Sequence, residues 1–320
     1  KGMNEKTDAE KRTKTPVLQA KKLIPLIGLL FVVVLFAVLT GGRSLSVRNL
    51  RLISIQAVIL IIGCVGASFT VAHGTMDLSL GGVLALCGVA FCMTGKISPV
   101  LGIVAAIAVG ILCELFVVGV HIALRVPAFV GTIAMMFISR GIVSGLSLVQ
   151  LFNLPKFFAP WDENVFYYGV LFAVIAIGYF LFEFTKIGKI NKAIGSNLTA
   201  AFTSGLNINK YKVIAFVVTG VMVALCGILT AIRSGTVTGG TGSGFEFNVI
   251  ISMVVGGTSL SGGTGVKLSS AIIGALLLTV LENGLVIFGL DTLLIGLIKG
   301  VLFLVAVTLS YERQQGKIIL

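Results

Sequence analysis

Residues 186–212 read KIGKINKAIGSNLTAAFTSGLNINKYK, and they form a polar island between two long apolar stretches of the chain. The island carries five lysines and no acid. Its middle, residues 193–206, has the alanine, leucine and threonine content of a short helix that breaks at Gly205. Because the flanking sequence suits lipid, we interpret the island as a cationic docking element on the cytoplasmic face of a membrane bundle.

The composition of the whole chain is that of an integral membrane protein. Apolar residues make up 57% of its 320 residues and charged residues only 11%, whereas soluble proteins average about 25% charged residues. The net charge of +12 is concentrated in the N-terminal tail and the island. Charge placed in this way sets membrane topology, so we expect a partner in the lipid bilayer and no nucleic-acid partner.

A helix crosses a bilayer with about 20 apolar residues, which predicts an all-α protein with about ten transmembrane helices, some of them short or broken. The predicted spans are residues 23–41, 52–73, 76–94, 98–123, 127–149, 165–184, 211–232, 247–262, 266–288 and 291–310. They form one membrane domain, residues 23–310, whose cytoplasmic loop is 186–210, between an N-terminal tail, 1–22, and a C-terminal tail, 311–320. The distribution of lysine and arginine predicts that the island and both termini lie in the cytoplasm.

Two glycine-rich breaks interrupt the apolar runs. Residues 73–82, HGTMDLSLGG, place Asp77 where lipid cannot satisfy free backbone groups, so protein or a water-filled cavity has to cover the break. An acid at this depth indicates function, although Asp77 could instead cap the next helix. Residues 256–265, GGTSLSGGTG, form the second break. Paired breaks of this kind are typical of a transport path.

Several kinds of chemistry are not indicated by the sequence. A phosphate-binding loop needs lysine followed by serine or threonine after its glycine, and every Gly-Lys pair in this chain is followed by isoleucine. The five cysteines fall inside apolar runs without metal-ligand spacing. We therefore expect no enzymatic activity, no cofactor and no metal site.

Four motifs resemble those of the ribose/galactose-type permeases of ABC importers. Residues 74–81 are similar to the GGIDLSVG segment of that family, and residues 127–132, PAFVGT, to its PxFIxTL segment. Residues 188–205 resemble its cytoplasmic AIGGN loop, and residues 256–265 its GGTSLSGGxG signature. Thr75 and Ser196 stand where the family usually has glycine, which weakens a substrate assignment.

The resemblance implies a BtuC-like architecture, that of a type II importer, in the bacterial plasma membrane. It further implies a permease subunit that forms the path for a monosaccharide and pairs with a second permease subunit. Cytoplasmic ATP-binding subunits would dock on the island, and an extracytoplasmic sugar-binding protein would deliver the solute. A nucleoside or branched-chain amino-acid permease of the same superfamily is an alternative. An ion-coupled secondary transporter is another, and ATP dependence would separate it from an importer.

The breaks and the resemblance together give three sets of candidate residues. Candidates for the translocation path are Asp77, Ser79, Phe129, Thr132, Thr258, Ser259, Ser261 and Asn283. Candidates for coupling to the ATPase are Lys192, Gly195, Asn197, Ala200, Ala201 and Gly205. Candidates for close helix packing are Gly81, Gly257, Gly262 and Gly263.

Overall fold

The computed structural model describes residues 25–162 and 164–310, most of which are helical. The helices are α1 Pro25–Leu39, α2 Val47–Ala72, α3 Leu80–Thr94, α4 Pro99–Leu124, α5 Ala128–Val149, α6 Asn164–Tyr179, α7 Lys186–Ser196, α8 Leu198–Thr203, α9 Ile208–Ser234, α10 Phe245–Val255, α11 Leu268–Phe288 and α12 Thr292–Ser310. Two short antiparallel strands, β1 (Phe152–Asn153) and β2 (Thr236–Val237), pair with each other. The predicted all-α class is confirmed, and the predicted tails, 1–22 and 311–320, lie outside the described residues.

Six helices of the described chain are long and apolar enough to cross a membrane: α2, α4, α5, α9, α11, and α6 together with the π-helical turn Phe180–Phe184 that continues it. Helices α1, α3, α10 and α12 are shorter apolar helices. Helix α3 begins at Leu80 rather than at residue 76, and α10 ends at Val255 rather than at residue 262. In both cases the glycine break takes up residues that the sequence assigns to a span.

The polar island forms two helices rather than one. Helix α7 ends at Ser196, and Asn197 adopts an extended backbone with φ −156°. The Asn197 side-chain oxygen accepts a hydrogen bond from the amide of Ala200 at 2.9 Å, which caps the start of α8. Gly205 ends α8 with a left-handed φ of +75°. The predicted break at Gly205 is present, and the sequence did not predict the additional break at Asn197.

The core is built around α2 and α9. Helix α9 packs against α2, α3 and α4, and α2 also packs against α11 and α6. Helices α4 and α9 cross through Gly110 and Gly220, where a side chain on Gly110 would overlap the carbonyl oxygen of Gly220. Small residues at such crossings let membrane helices approach closely and gain van der Waals contact.

We expect Gly110→Val to lower the melting temperature of the detergent-purified protein. Overpacking of this kind costs about 1–3 kcal/mol, because α4 and α9 would have to separate. The matched control is Gly119→Val on the same helix, since a β-carbon added at Gly119 would meet no neighbouring atom of the described residues within 4 Å. Equal melting temperatures for the two variants would contradict the packing role of Gly110.

Candidate functional site

The two glycine breaks and helix α7 meet in one place, which we call the junction. A side chain on Gly262 would put its β-carbon 2.6 Å from the amide nitrogen of Gly74, in the first break. A side chain on Gly195 of α7 would overlap the last carbonyl of α2. The amide of Thr264 donates to the hydroxyl of Ser196 at 3.2 Å. The junction therefore joins three segments that are far apart in sequence through direct backbone approach.

The second break contacts α7 at a further glycine. Gly263 has φ +75°, and its β-carbon would lie 2.6 Å from the Ser196 hydroxyl oxygen. The conformation and the contact both favour glycine at this position. A side chain at Gly262 would clash with the first break, and one at Gly263 would clash with Ser196, so both positions require close approach of neighbouring segments. Ser196 packs against the second break.

Both breaks begin with the same helix ending. Gly74 and Gly257 have φ of +83° and +85°. In each break the amides of the glycine and of the following threonine donate to carbonyls three and five residues earlier, at 2.8–3.1 Å. This Schellman arrangement satisfies backbone groups that lipid could not. Within residues 25–162 and 164–310, a β-carbon added at Gly257 would meet only Pro25, at 3.7 Å, so the geometry of Gly257 assigns it to the turn rather than to close packing.

Asp77 orders the turn between α2 and α3. One of its carboxyl oxygens accepts from the amide of Ser79 at 2.8 Å and from the Ser79 hydroxyl at 2.7 Å. Asp77 is buried, and Ser79 is completely buried. Because Ser79 immediately precedes α3, Asp77 holds the entry into that helix and does not bond the amides of its first turn.

Glu114 of α4 contacts the pair formed by Asp77 and Ser79. Glu114 was not selected as a candidate from the sequence. It is completely buried, and one of its carboxyl oxygens lies 3.2 Å from the Ser79 hydroxyl. The second oxygen of each carboxyl, Asp77 Oδ2 and Glu114 Oε2, has no hydrogen-bond partner among the described residues. One hydroxyl has only one hydrogen to donate. The available signal was an acid in the middle of an apolar run, but its partner is 35 residues away.

A second polar group links α3, α5 and α10. Arg140 donates to the carbonyl of Gly242 at 2.9 Å and forms an ion pair with Glu246 at 3.3 Å. A side chain on Gly81 would overlap the Glu246 carboxylate. The predicted packing role of Gly81 therefore has a specific cause, which is the room that this carboxylate needs.

A cavity of about 780 Å³ lies beside the first break. Its walls are His73, Gly74, Thr75, Met76, Leu78, His121, Pro127, Ala128, Phe129, Lys212 and residues 194–199. Phe129 is half-exposed there, whereas Thr132 is buried and its hydroxyl donates to the carbonyl of Phe129 at 2.9 Å. Of the predicted path residues, Phe129 faces open space and Thr132 stabilises its own helix.

The remaining candidates for the translocation path lie in different environments. Thr258 is buried, and its hydroxyl has no partner among the described residues, while Ser259 is partly buried and Ser261 is exposed. Asn283 accepts a hydrogen bond from Asn49 at 2.8 Å and borders a different, small cavity. The structure therefore does not bring Asn283 together with the junction.

Helix α8 exposes two large apolar side chains. Leu198 and Phe202 are 53% and 71% exposed, and the predicted coupling residue Ala200 is exposed between them, whereas Ala201 is buried. Lys192 is not free, because its ammonium forms an ion pair with Glu183 at 2.8 Å, above the ring of the preceding phenylalanine. Lys192 thus ties α7 to the end of α6, and the exposed apolar pair of α8 was not identified from the sequence.

Comparisons with known proteins agree on one family. The family described as branched-chain amino acid transport system / permease component matches residues 49–307. The ribose import permease protein RbsC of Escherichia coli strain K12 is 30% identical over 94% of this chain and 96% of its own length. The autoinducer 2 import system permease protein LsrC of Enterobacter sp. strain 638 is 31% identical over 90% of this chain and 86% of its own.

The ribose import permease protein RbsC of Bacillus subtilis strain 168 is 29% identical over 92% of this chain and 94% of its own length. No solved structure matches the chain. These relatives are named as transport permeases and not as enzymes. With a match that spans most of its length, the chain belongs to the family of branched-chain amino acid transport system permease components.

Proposed function

We propose that the chain is the membrane-spanning permease subunit of an ATP-driven importer and forms the path for a monosaccharide or a related small polar solute. The observation that carries this proposal is the junction, where a cationic surface element contacts the second glycine break and the last carbonyl of α2, directly before the first break. The relatives named for ribose and autoinducer 2 favour a sugar-like solute over nucleosides or branched-chain amino acids.

We infer a ten-span topology from six long helices together with α1, α3, α10 and α12. Short helices can complete a crossing where a covered break continues the chain, as the breaks after α2 and α10 do. Both termini, the island and the α4–α5 turn would lie in the cytoplasm of a bacterial cell. The acid-free lysines of the island and Arg125 in that turn support this orientation.

A cytoplasmic ATP-binding subunit would dock on α8. Leu198 and Phe202 offer an apolar anchor, with Lys189 and Lys210 of the island exposed on neighbouring segments. An exposed aromatic residue with a charged surround is typical of a protein interface. Movement of α8 would pass through α7, which Lys192 ties to α6, to the glycine breaks.

Two further partners would use other surfaces. A sugar-binding protein would meet the opposite end of the bundle, where β1 and β2 join the loops after α5 and α9.

A second permease subunit would pack on α5. That helix exposes Gly141 and Gly145 beside the exposed Phe137, and a β-carbon added at either glycine would meet no other part of the described chain within 4 Å. Glycines spaced by four residues favour close contact between membrane helices.

We expect a cysteine at position 200, in Ala200→Cys, to react with a membrane-impermeant maleimide only from the cytoplasmic side. The ATP-binding subunit should protect it, and Phe202→Ala should remove most of that protection because the anchor is lost. The five native cysteines are all buried, which keeps background labelling low. Phe172→Ala, which removes an exposed aromatic residue of α6, is the control. Labelling of intact cells from outside would overturn the orientation.

We expect Gly195→Val to reduce ATP-dependent ribose uptake by proteoliposomes that also contain the ATPase and the binding protein. The loss should be roughly ten-fold or more, which corresponds to about 1.4 kcal/mol, because the new side chain overlaps α2 at the junction. Ala193→Val, at an exposed position of the same helix, should transport normally. Uptake by the unmodified protein driven by a proton or sodium gradient without ATP would instead support a secondary transporter.

We expect Asp77→Ala to impair uptake more than its loss of stability explains. Loss of a capping interaction costs about 1 kcal/mol, so the melting temperature is measured beside transport. Glu114→Gln should retain uptake, since an amide can donate a hydrogen to the Ser79 hydroxyl that is already engaged with Asp77. Normal uptake by a well-folded Asp77→Ala variant would show that Asp77 serves only the turn.

A further inference from the structure

The cavity beside the first break has one charged group, the ammonium of Lys212, and two imidazoles beside it. Lys212, His73 and His121 line it, and none of its lining residues is an acid. Asp77 lies between two lining residues, but its carboxyl is bonded to Ser79 and forms no part of the wall. A concave site with an amine, imidazoles and no carboxylate favours an anion.

The ammonium of Lys212 is available to such an anion. The His121 Nδ1 lies 2.6 Å from the carbonyl oxygen of Val126, so Nδ1 carries the ring hydrogen and donates. The other nitrogen, Nε2, then accepts from Lys212 at 2.9 Å. That bond uses one of the three ammonium hydrogens. No acid of the described residues forms an ion pair with Lys212, which leaves two hydrogens for a ligand.

His73 provides a second, independent sign of a missing partner. It lines the cavity, is 7% exposed, and its Nε2 has no hydrogen-bond partner among the described residues. The Thr75 hydroxyl lies 3.0 Å from Nδ1. When that hydroxyl donates to Nδ1, Nε2 carries a hydrogen that nothing in the described chain accepts. A buried polar group without a partner is costly. Because Nε2 itself has almost no exposed surface, the ring would have to turn toward the cavity before an anionic ligand could accept from it.

The rest of the wall suits an organic ligand rather than a bare ion. Asn197 and Thr199 add polar groups, while Phe129 and Leu198 present half-exposed apolar side chains. Pockets for small organic molecules commonly have volumes of about 300–1,000 Å³, and this cavity has about 780 Å³. We propose that the cavity binds a phosphate ester, with Lys212 and His73 at the phosphate and the apolar wall at the organic part.

Because of where the cavity lies, a bound ligand would contact the proposed docking element. Residues 194–199 belong to both the cavity wall and the α7–α8 turn, so an occupant would contact the element proposed to dock the ATPase. With the proposed orientation, the ester comes from the cytoplasm or from the inner leaflet. Two sources fit the same chemistry: a soluble sugar phosphate, which phosphorylation of an imported sugar would produce, and the headgroup of an anionic phospholipid.

The test uses the full chain in nanodiscs of phosphatidylcholine, without the ATPase, so that it is independent of transport. Glucose 6-phosphate should raise the melting temperature in a concentration-dependent way, as a ligand of the native state does, and glucose should not. Lys212→Gln should weaken this binding roughly ten-fold or more, and Lys212→Arg should restore part of it. Lys210→Gln, at an exposed position of the same helix, is the matched control.

A second arm replaces part of the lipid by phosphatidylglycerol. Stabilisation by this lipid that Lys212→Gln removes, with no effect of glucose 6-phosphate, would support the site and assign it to a headgroup. The proposal is overturned if neither probe stabilises the protein. It is also overturned if Lys210→Gln loses as much binding as Lys212→Gln, since the effect would then come from general positive charge. Unliganded melting temperatures show that each variant is folded.

Discussion

The structure depends on one constraint, which is that backbone amides and carbonyls at membrane depth need partners within the protein. Two apolar runs are interrupted by glycine breaks, and each break begins with a helix ending that returns its amides to earlier carbonyls. The second break also donates through Thr264 to a side chain of α7. The breaks can therefore exist in a lipid environment because local turns and a third segment together cover them.

This way of covering the breaks also connects them to the surface. Helix α7 approaches α2 at Gly195 so closely that no side chain fits. One turn earlier, the ion pair of Lys192 with Glu183 holds α7 to the end of α6. A segment with contacts of this kind moves as a unit with its neighbours, because packed interiors have little free space.

Two polar pairs inside the bundle, Arg140 with Glu246 and Asp77 with Glu114, differ in charge and in hydrogen bonding. Arg140 and Glu246 neutralise each other and fasten α5 to α10, and Gly81 leaves room for them. Asp77 and Glu114 are both acids, and they share one hydroxyl. Like charges in a buried site are costly unless a proton or a partner intervenes. The first group is a structural link, whereas the second leaves one oxygen of each carboxyl without a partner among the described residues.

Much of this architecture follows from the sequence. The apolar runs determine that the protein is all-α and embedded in lipid, and the two glycine motifs mark where helices are interrupted, because hydropathy and glycine content are local properties. The family membership also follows, since motifs such as GGTSLSGGTG keep their order along the chain.

Only the tertiary structure shows which of these segments touch. It separates Asn283 from the other path candidates, engages Lys192 within the protein, and brings Glu114 to Ser79 and His121 to Lys212. It also shows that Gly195 and Gly262 are needed for backbone approach, whereas Gly257 serves a turn. The ion pair of Lys192 spans nine positions and the Gly257 turn is local, but the side-chain hydrogen bonds named above join residues 35 to 234 positions apart. The packing of helices against one another decides those contacts, and no local pattern of residues does.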